Sequence, residues 1–187
     1  MARSVLQHQF SMIPRVQIPR SVFNRSHGHK TTLNAGYLYP IYVDEALPGD
    51  TFTLRTSYLV RMTTPIVPIM DNLYIDIFYF AVPYRLVWDN FVRMMGERDN
   101  PDDHIDYIVP VVKSQSAGFE EGSIYDYMGI PPRVPKIEVS ALFFRAYNLI
   151  WNEWFRDQNL MEQLPVPKDD GPDNFSLYNL FNYFLNI

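Results

Sequence analysis

A mainly β fold with helical insertions is what this sequence predicts, and three observations carry that expectation. Residues 51–62 (TFTLRTSYLVRM) alternate with period two. Residues 73–82 (LYIDIFYFAV) form a β-prone run, apolar on both faces apart from Asp76 and closed by Pro83. Helical spacing is sustained only over 84–95 and 140–159, with irregular, proline-punctuated sequence between them. Strict alternation marks a strand with one covered face, and a two-sided apolar run marks one covered on both.

Residues 1–50 predict an extended basic arm, and 51–187 the folded body. Pro14, Pro19, Pro40 and Pro48 interrupt any helix in the arm and withhold backbone donors. Its GYLYPIYV segment is apolar and β-prone, which predicts that this part lies on other protein. LPGD at 47–50 signals a turn before the first strand. Within 51–62, Phe52, Leu54, Tyr58, Val60 and Met62 share one face, with Thr56 their only polar companion. TTPIVPIMDN then reads as a crossover to the second strand.

In 84–95, Leu86, Phe91, Met94 and Met95 fall on one helical face and Gly96 supplies a stop. Residues 97–140 keep no period; ERDNPDDHID reads as a charged loop and PPRVP as a stiff connector. The longest predicted helix covers 140–159, with Ser140 as N-cap. Its polar stripe, Arg145, Asn148, Asn152 and Arg156, is narrow, and apolar residues cover nearly all the rest. Such a helix is expected to be buried on more than one side.

Composition narrows the function classes. Apolar residues make up 47% of the chain and aromatic residues 16%, which excludes a generally disordered protein. Cysteine is absent, so disulfides and thiolate metal sites are excluded. No apolar stretch is long enough to span a membrane, and MARSVLQHQF lacks the apolar core of a secretory signal. The net charge of −5 hides an asymmetry. No acidic residue precedes Asp44, whereas Arg3, Arg15, Arg20, Arg25 and Lys30 lie before it. A cationic arm on an acidic body can contact a polyanion or an acidic neighbouring subunit.

No catalytic constellation emerges, so no enzyme and no cofactor is assigned. The sequence has no Gly-x-Ser-x-Gly elbow, phosphate loop or HExxH. His27 and His29 in SHGHK lack a third ligand nearby and read as a solvated or nucleic-acid-facing loop, with His8 isolated. Asp99, Asp102, Asp103 and Asp106 around His104 miss the EF-hand spacing and read as a solvated loop, so no metal is assigned. Glu153 and Asp157 beside Arg156 read as a surface ion network. Phe10, Phe23 and Tyr37 interleaved with the arm's cations fit the grip of single-stranded nucleic acid, by stacking and phosphate contacts.

Several long phrases carry a more specific signal. SMIPRVQIPRSVFNRSHGHKTTLNAGYLYPIYVDEALPGDTFTL, TPIVPIMDNLYIDIFYFAVPYRLVWDNF and MGERDNP stand in order, followed by GSIYDYMGIP, RAYNLIWNEWFRDQNL and DDGPD. Together they resemble the N-terminal part of the major capsid protein of the Microviridae, small single-stranded DNA phages, in the gokushovirus branch.

The resemblance spans roughly residues 10–175. It implies a viral jelly roll with long insertions, in which 51–62 and 73–82 are the first two barrel strands. The helices at 84–95 and 140–159 are then parts of insertions. It also implies a small icosahedral (T=1) shell of identical subunits around circular single-stranded DNA, assembled in the bacterial cytoplasm and located in the virion. Other copies of the chain are the implied partners, with Phe143, Phe144, Trp151 and Trp154 as candidate interface residues, several of which are expected to stay exposed. The arm cations Arg3, Arg15, Arg20, Arg25 and Lys30 are the candidate genome contacts.

Family chains continue well beyond the DDGPD phrase, and the last seven or so residues here do not read as family sequence. The expectation is therefore a partial jelly roll from a truncated or frameshifted gene, or from a gene fragment. A non-functional capsid remnant and an aromatic-rich carbohydrate-binding module are the alternatives in other classes.

Overall fold

A computed structural model describes residues 18–104 and 106–175, and the chain divides into two units, Met1–Lys30 and Thr31–Ile187. Of the first unit, residues 18–30 carry no helix or strand and all are exposed. Their order is local: the Asn24 carboxamide oxygen accepts from the Ser26 N–H at 3.0 Å and its hydroxyl at 2.6 Å. In the second unit, residues 31–45 run along the body. Leu38 packs on the core, the Tyr147 hydroxyl donates to its carbonyl at 2.9 Å, and the Tyr127 hydroxyl donates to Thr32 O at 3.0 Å. The apolar GYLYPIYV segment accordingly lies on protein, as its composition predicts.

The described residues of the body hold few helices and one small antiparallel sheet. A 3-10 turn at Tyr84–Leu86 is followed by α1 (Phe91–Met94), β1 (Val111–Lys113), α2 (Ile124–Tyr127), β2 (Glu138–Ser140) and α3 (Leu142–Ile150). The last helix continues as a π turn, Trp151–Phe155. β1 and β2 pair with Val112 opposite Val139, and bonds from Ala141 N to Pro110 O and Ser114 N to Ile137 O extend the ladder at both ends.

α3 is the longest helix, as expected, but its ends differ. β2 takes Ser140, and Ala141 becomes the N-cap. At the other end the π turn closes through Arg156 N to Trp151 O at 2.9 Å, after which the backbone is extended. The expected helix at 84–95 is broken in two. Asp89 N donates to Lys168 O and the Trp88 indole to Asp170, tertiary bonds that pull the middle of the segment out of a helical path. Its stop is as predicted. Gly96 sits at φ +91, with Gly96 N bonding Arg93 O and Glu97 N bonding Val92 O, the paired bonds of a left-handed helix terminus.

The two principal strands expected at 51–62 and 73–82 do not form. Among the described residues, no backbone–backbone hydrogen bond engages either segment. A strand is defined by a ladder, and alternation cannot supply the partner's donors and acceptors. Only side chains join the segments: the Tyr79 hydroxyl lies 2.8 Å from that of Tyr58 and 3.0 Å from that of Thr56. Phe78 and Phe80 rest on the π turn, 5.6 Å from the rings of Phe155 and Trp154 respectively.

The core flanks α3. On one side Phe144, Tyr147 and Ala141 meet Val112, Phe119, Ile124, Tyr125 and Phe175. Elsewhere on the helix Leu142 packs on Val87 and Trp88. Gly118, at φ +79, passes so close to the backbone of Arg133 that a Cβ there would lie 2.4 Å from it.

Candidate functional site

The polar stripe of α3 faces inward and grips the returning chain at 161–173. Arg145 is fully buried, and Asn148 and Asn152 nearly so. Asn148 Nδ2 donates to Pro165 O at 3.0 Å, and Asn152 Nδ2 to Leu164 O at 2.9 Å. Leu164 N returns a bond to Asn152 Oδ1 at 2.8 Å, and Arg156 donates to Met161 O at 3.0 Å. Helical spacings of three and four residues keep Arg145, Asn148 and Asn152 on one face, and Arg156 follows at the end of the π turn. Arg156 therefore serves the returning chain, and the expected surface network with Glu153 and Asp157 gives way to this backbone clamp.

Arg145 ends the stripe inside the acidic turn DDGPD. Its Nε donates to the Asp173 carboxylate at 2.6 Å, and its terminal nitrogens donate to Val87 O at 3.1 Å and Asp169 O at 2.9 Å. Asp173 is almost as buried, so the pair is desolvated on both sides. Asp170 collects a second set of donors: the Trp88 indole at 2.6 Å, Asn90 Nδ2 at 3.0 Å and Ile108 N at 3.1 Å. Burial opposes ionisation of Asp170. The three donors and the nearby Arg145 charge outweigh it, holding its carboxyl below the usual value. One five-residue turn thus ties 87–90, 108 and α3 together. These groups are arranged for fixing backbone.

Against this ordered centre lies an apolar ribbon. Phe52, Leu54, Tyr58, Val60, Ile66 and Met70 are exposed, as are Leu73, Tyr74, Ile75 and Phe78. Contiguous apolar exposure of this kind marks a surface to be covered. Trp154, 71% exposed, stands at its edge. Of the other three candidate interface aromatics, Phe143 is half-buried, whereas Phe144 and Trp151 are 2% and 5% exposed. The reason is rotational: Phe144 points to the Tyr125–Phe175 side of α3 and fills the chain's own core. Arg20, Arg25 and Lys30 are exposed, while Arg3 and Arg15 lie outside the described residues, as do His8 and Phe10.

A second, smaller feature is a groove of ≈ 470 Å³ between residues 43–45 and the β2–α3 junction. Phe143, Ile130 and Val139 line it, with Asp44 and Glu45 opposite. The Tyr84 hydroxyl donates to Glu45; burial first, then this carboxylate, raises the phenol's pKa. In the charged loop, Asp103 accepts from Asn100 N at 2.8 Å, the main cause of its lowered pKa. Among the described residues, no group of three or more His, Asp or Glu is placed to hold a metal.

A clamped helix, an organising turn and a large uncovered apolar ribbon describe a building part. The family model described as Capsid protein (F protein) matches residues 11–184. The chain belongs to this capsid protein family. Capsid protein VP1 of Bdellovibrio phage phiMH2K is 51% identical over 174 residues, covering 93% of this chain and 33% of that protein. Capsid protein VP1 of Chlamydia phage 1 is 47% identical, over 90% of this chain and 29% of the relative. That of Spiroplasma virus 4 is 40% identical, over 88% and 30%.

The Microviridae resemblance read from the sequence is therefore correct, and it concerns the N-terminal portion: the chain spans about a third of the length of these relatives. One detail is corrected. The family match continues to residue 184, so it takes in residues 181–184 of the terminal stretch judged unfamiliar. The DDGPD phrase that helped identify the capsid family is the same turn that Arg145 and Trp88 hold.

Proposed function

We propose that this chain is part of the building subunit of a small icosahedral phage shell enclosing circular single-stranded DNA. The supporting observation is the pairing of a family match over 11–184 with an uncovered apolar ribbon at 52–80. In this reading 51–62 and 73–82 are the first two strands of a jelly roll. Further polypeptide of the same fold supplies their ladders, and neighbouring subunits cover Trp154 and the exposed side of Phe143. Phe144 and Trp151 act from beneath, by holding α3 in place. Arg3, Arg15, Arg20, Arg25 and Lys30 form a cationic arm that contacts the genome through phosphates or an acidic neighbour, and the virion is the protein's location.

The test is a chimaera in which this chain replaces the matching third of the phiMH2K capsid protein VP1. Closed particles by electron microscopy, carrying nuclease-protected single-stranded DNA, are the expected result. A chimaera that is soluble and folded yet never forms particles overturns the reading.

A further inference from the structure

We propose that the groove beside β2 receives the arm of a second copy of this chain, added to the free edge of β2 as a short extended strand; the inference rests on the shell reading above and names one contact within it. Two independent features meet here. The first is an unpaired sheet edge. Bonds at the 110/141 and 114/137 positions make Val112/Val139 a hydrogen-bonded pair, so the backbone groups of Glu138 and Ser140 point away from β1. On the β1 side the corresponding outward group, Val111 O, accepts from Asp173 N at 3.4 Å. On the β2 side, among the described residues, Glu138 and Ser140 have no backbone partner. An open edge beside an apolar groove is the geometry that extended peptides recognise.

The second feature is the arm itself. Ile18, Val22 and Phe23 are 78%, 97% and 80% exposed, and the segment carries cations with no acidic residue. In an extended conformation Val22 shares a face with Arg20, and Phe23 with Arg25. Either face therefore offers one apolar group for the Ile130–Val139–Phe143 floor and one cation for Asp44 and Glu45. A groove of ≈ 470 Å³ has room for a few side chains, not for a folded element. Backbone bonds give such a contact its affinity, and opposite charges select its register.

The experiment uses the whole chain. Val22→benzoylphenylalanine is photo-cross-linked in a mixture of ¹⁴N- and ¹⁵N-labelled protein, and cross-linked peptides are sorted by mixed label. Sedimentation velocity follows self-association in parallel. The expected result is mixed-label links from the arm to residues 128–144. The arm variant Arg20→Glu/Arg25→Glu weakens self-association about tenfold, two attractions having become repulsions. The groove variant Asp44→Lys/Glu45→Lys does the same, and mixing the two variants restores association, since each then offers the other a compatible arm or groove. The arm variant changes no residue of the body, so its effect does not depend on how the groove variant folds. Links within one chain only, links to added oligonucleotide only, or association indifferent to the arm variant would each overturn the proposal. In the last case the shell reading stands and only the arm contact falls.

Discussion

Replacing Arg145 by methionine is a perturbation that the structure makes costly. The guanidinium is fully buried and bonds the Asp173 carboxylate at 2.6 Å, Asp169 O at 2.9 Å and Val87 O at 3.1 Å. Methionine fills much of the volume but leaves Asp173, whose side chain is 7% exposed, as an unpaired buried carboxylate. Removing one partner of a buried ion pair costs about 3–5 kcal/mol. The second contact to Asp169, at 3.6 Å on an exposed carboxylate, adds little. With a urea slope of about 2 kcal/mol per molar, the midpoint of unfolding should fall by roughly 2 M. Tryptophan fluorescence reports it directly, because Trp88 sits on the same turn through Asp170. Arg145→Met/Asp173→Leu removes the stranded charge and should recover a large part of the loss. A midpoint shift below about 0.5 M for the single variant, or a double variant equal to the sum of its parts, would refute the clamp as described.

Asp170 gives a pH prediction. Its folded carboxyl lies below the ordinary 3.8, so its stabilising contribution is complete well above that value and is lost as pH falls through the folded value. Urea midpoints measured between pH 3 and 6 should therefore fall on acidification, and Asp170→Asn should flatten part of that fall; an unchanged profile would remove Asp170 from the turn's energetics. Phe144→Ala should destabilise by about 3–5 kcal/mol, while Trp154→Ala, on an exposed ring, should stay within about 0.5 kcal/mol and instead impair particle formation in the chimaera. Equal thermal shifts for the two would contradict their assignment to core and surface. Gly118→Ala sets a Cβ 2.4 Å from the Arg133 backbone at φ +79, and should cost about 2 kcal/mol or more in denaturant melts.

Much of the organisation was legible because it is written in local pattern. The long helix, its inward burial, the Gly96 stop and the docking of GYLYPIYV all follow from spacing and residue type. What was not legible depends on partners distant in sequence. The alternation of 51–62 carries no information about the donors and acceptors of a ladder, and among the described residues none engages the segment, which is exposed along its whole length. β1 and β2 have only three residues each, too short for any period to show. The inward turn of Arg145, Asn148 and Asn152 was hidden by the usual expectation that a polar stripe faces water. A clue was present: a narrow stripe on an otherwise apolar helix has no wide solvent side, so its polar groups must find backbone. The covering of Phe144 was not legible either, since the side of α3 that it occupies is fixed by contacts with 112–125 and 175 that composition does not reveal.

Hydrogen–deuterium exchange across residues 51–82, compared between the isolated chain and the assembled VP1 chimaera, tests the central claim most directly. Among the described residues these amides have no backbone partner, so they should exchange within seconds in the isolated chain while those of α3 remain protected. In particles the same amides should become protected in the alternating manner of paired strands. Equal, rapid exchange in both states would contradict the claim that this ribbon is sheet awaiting its partners.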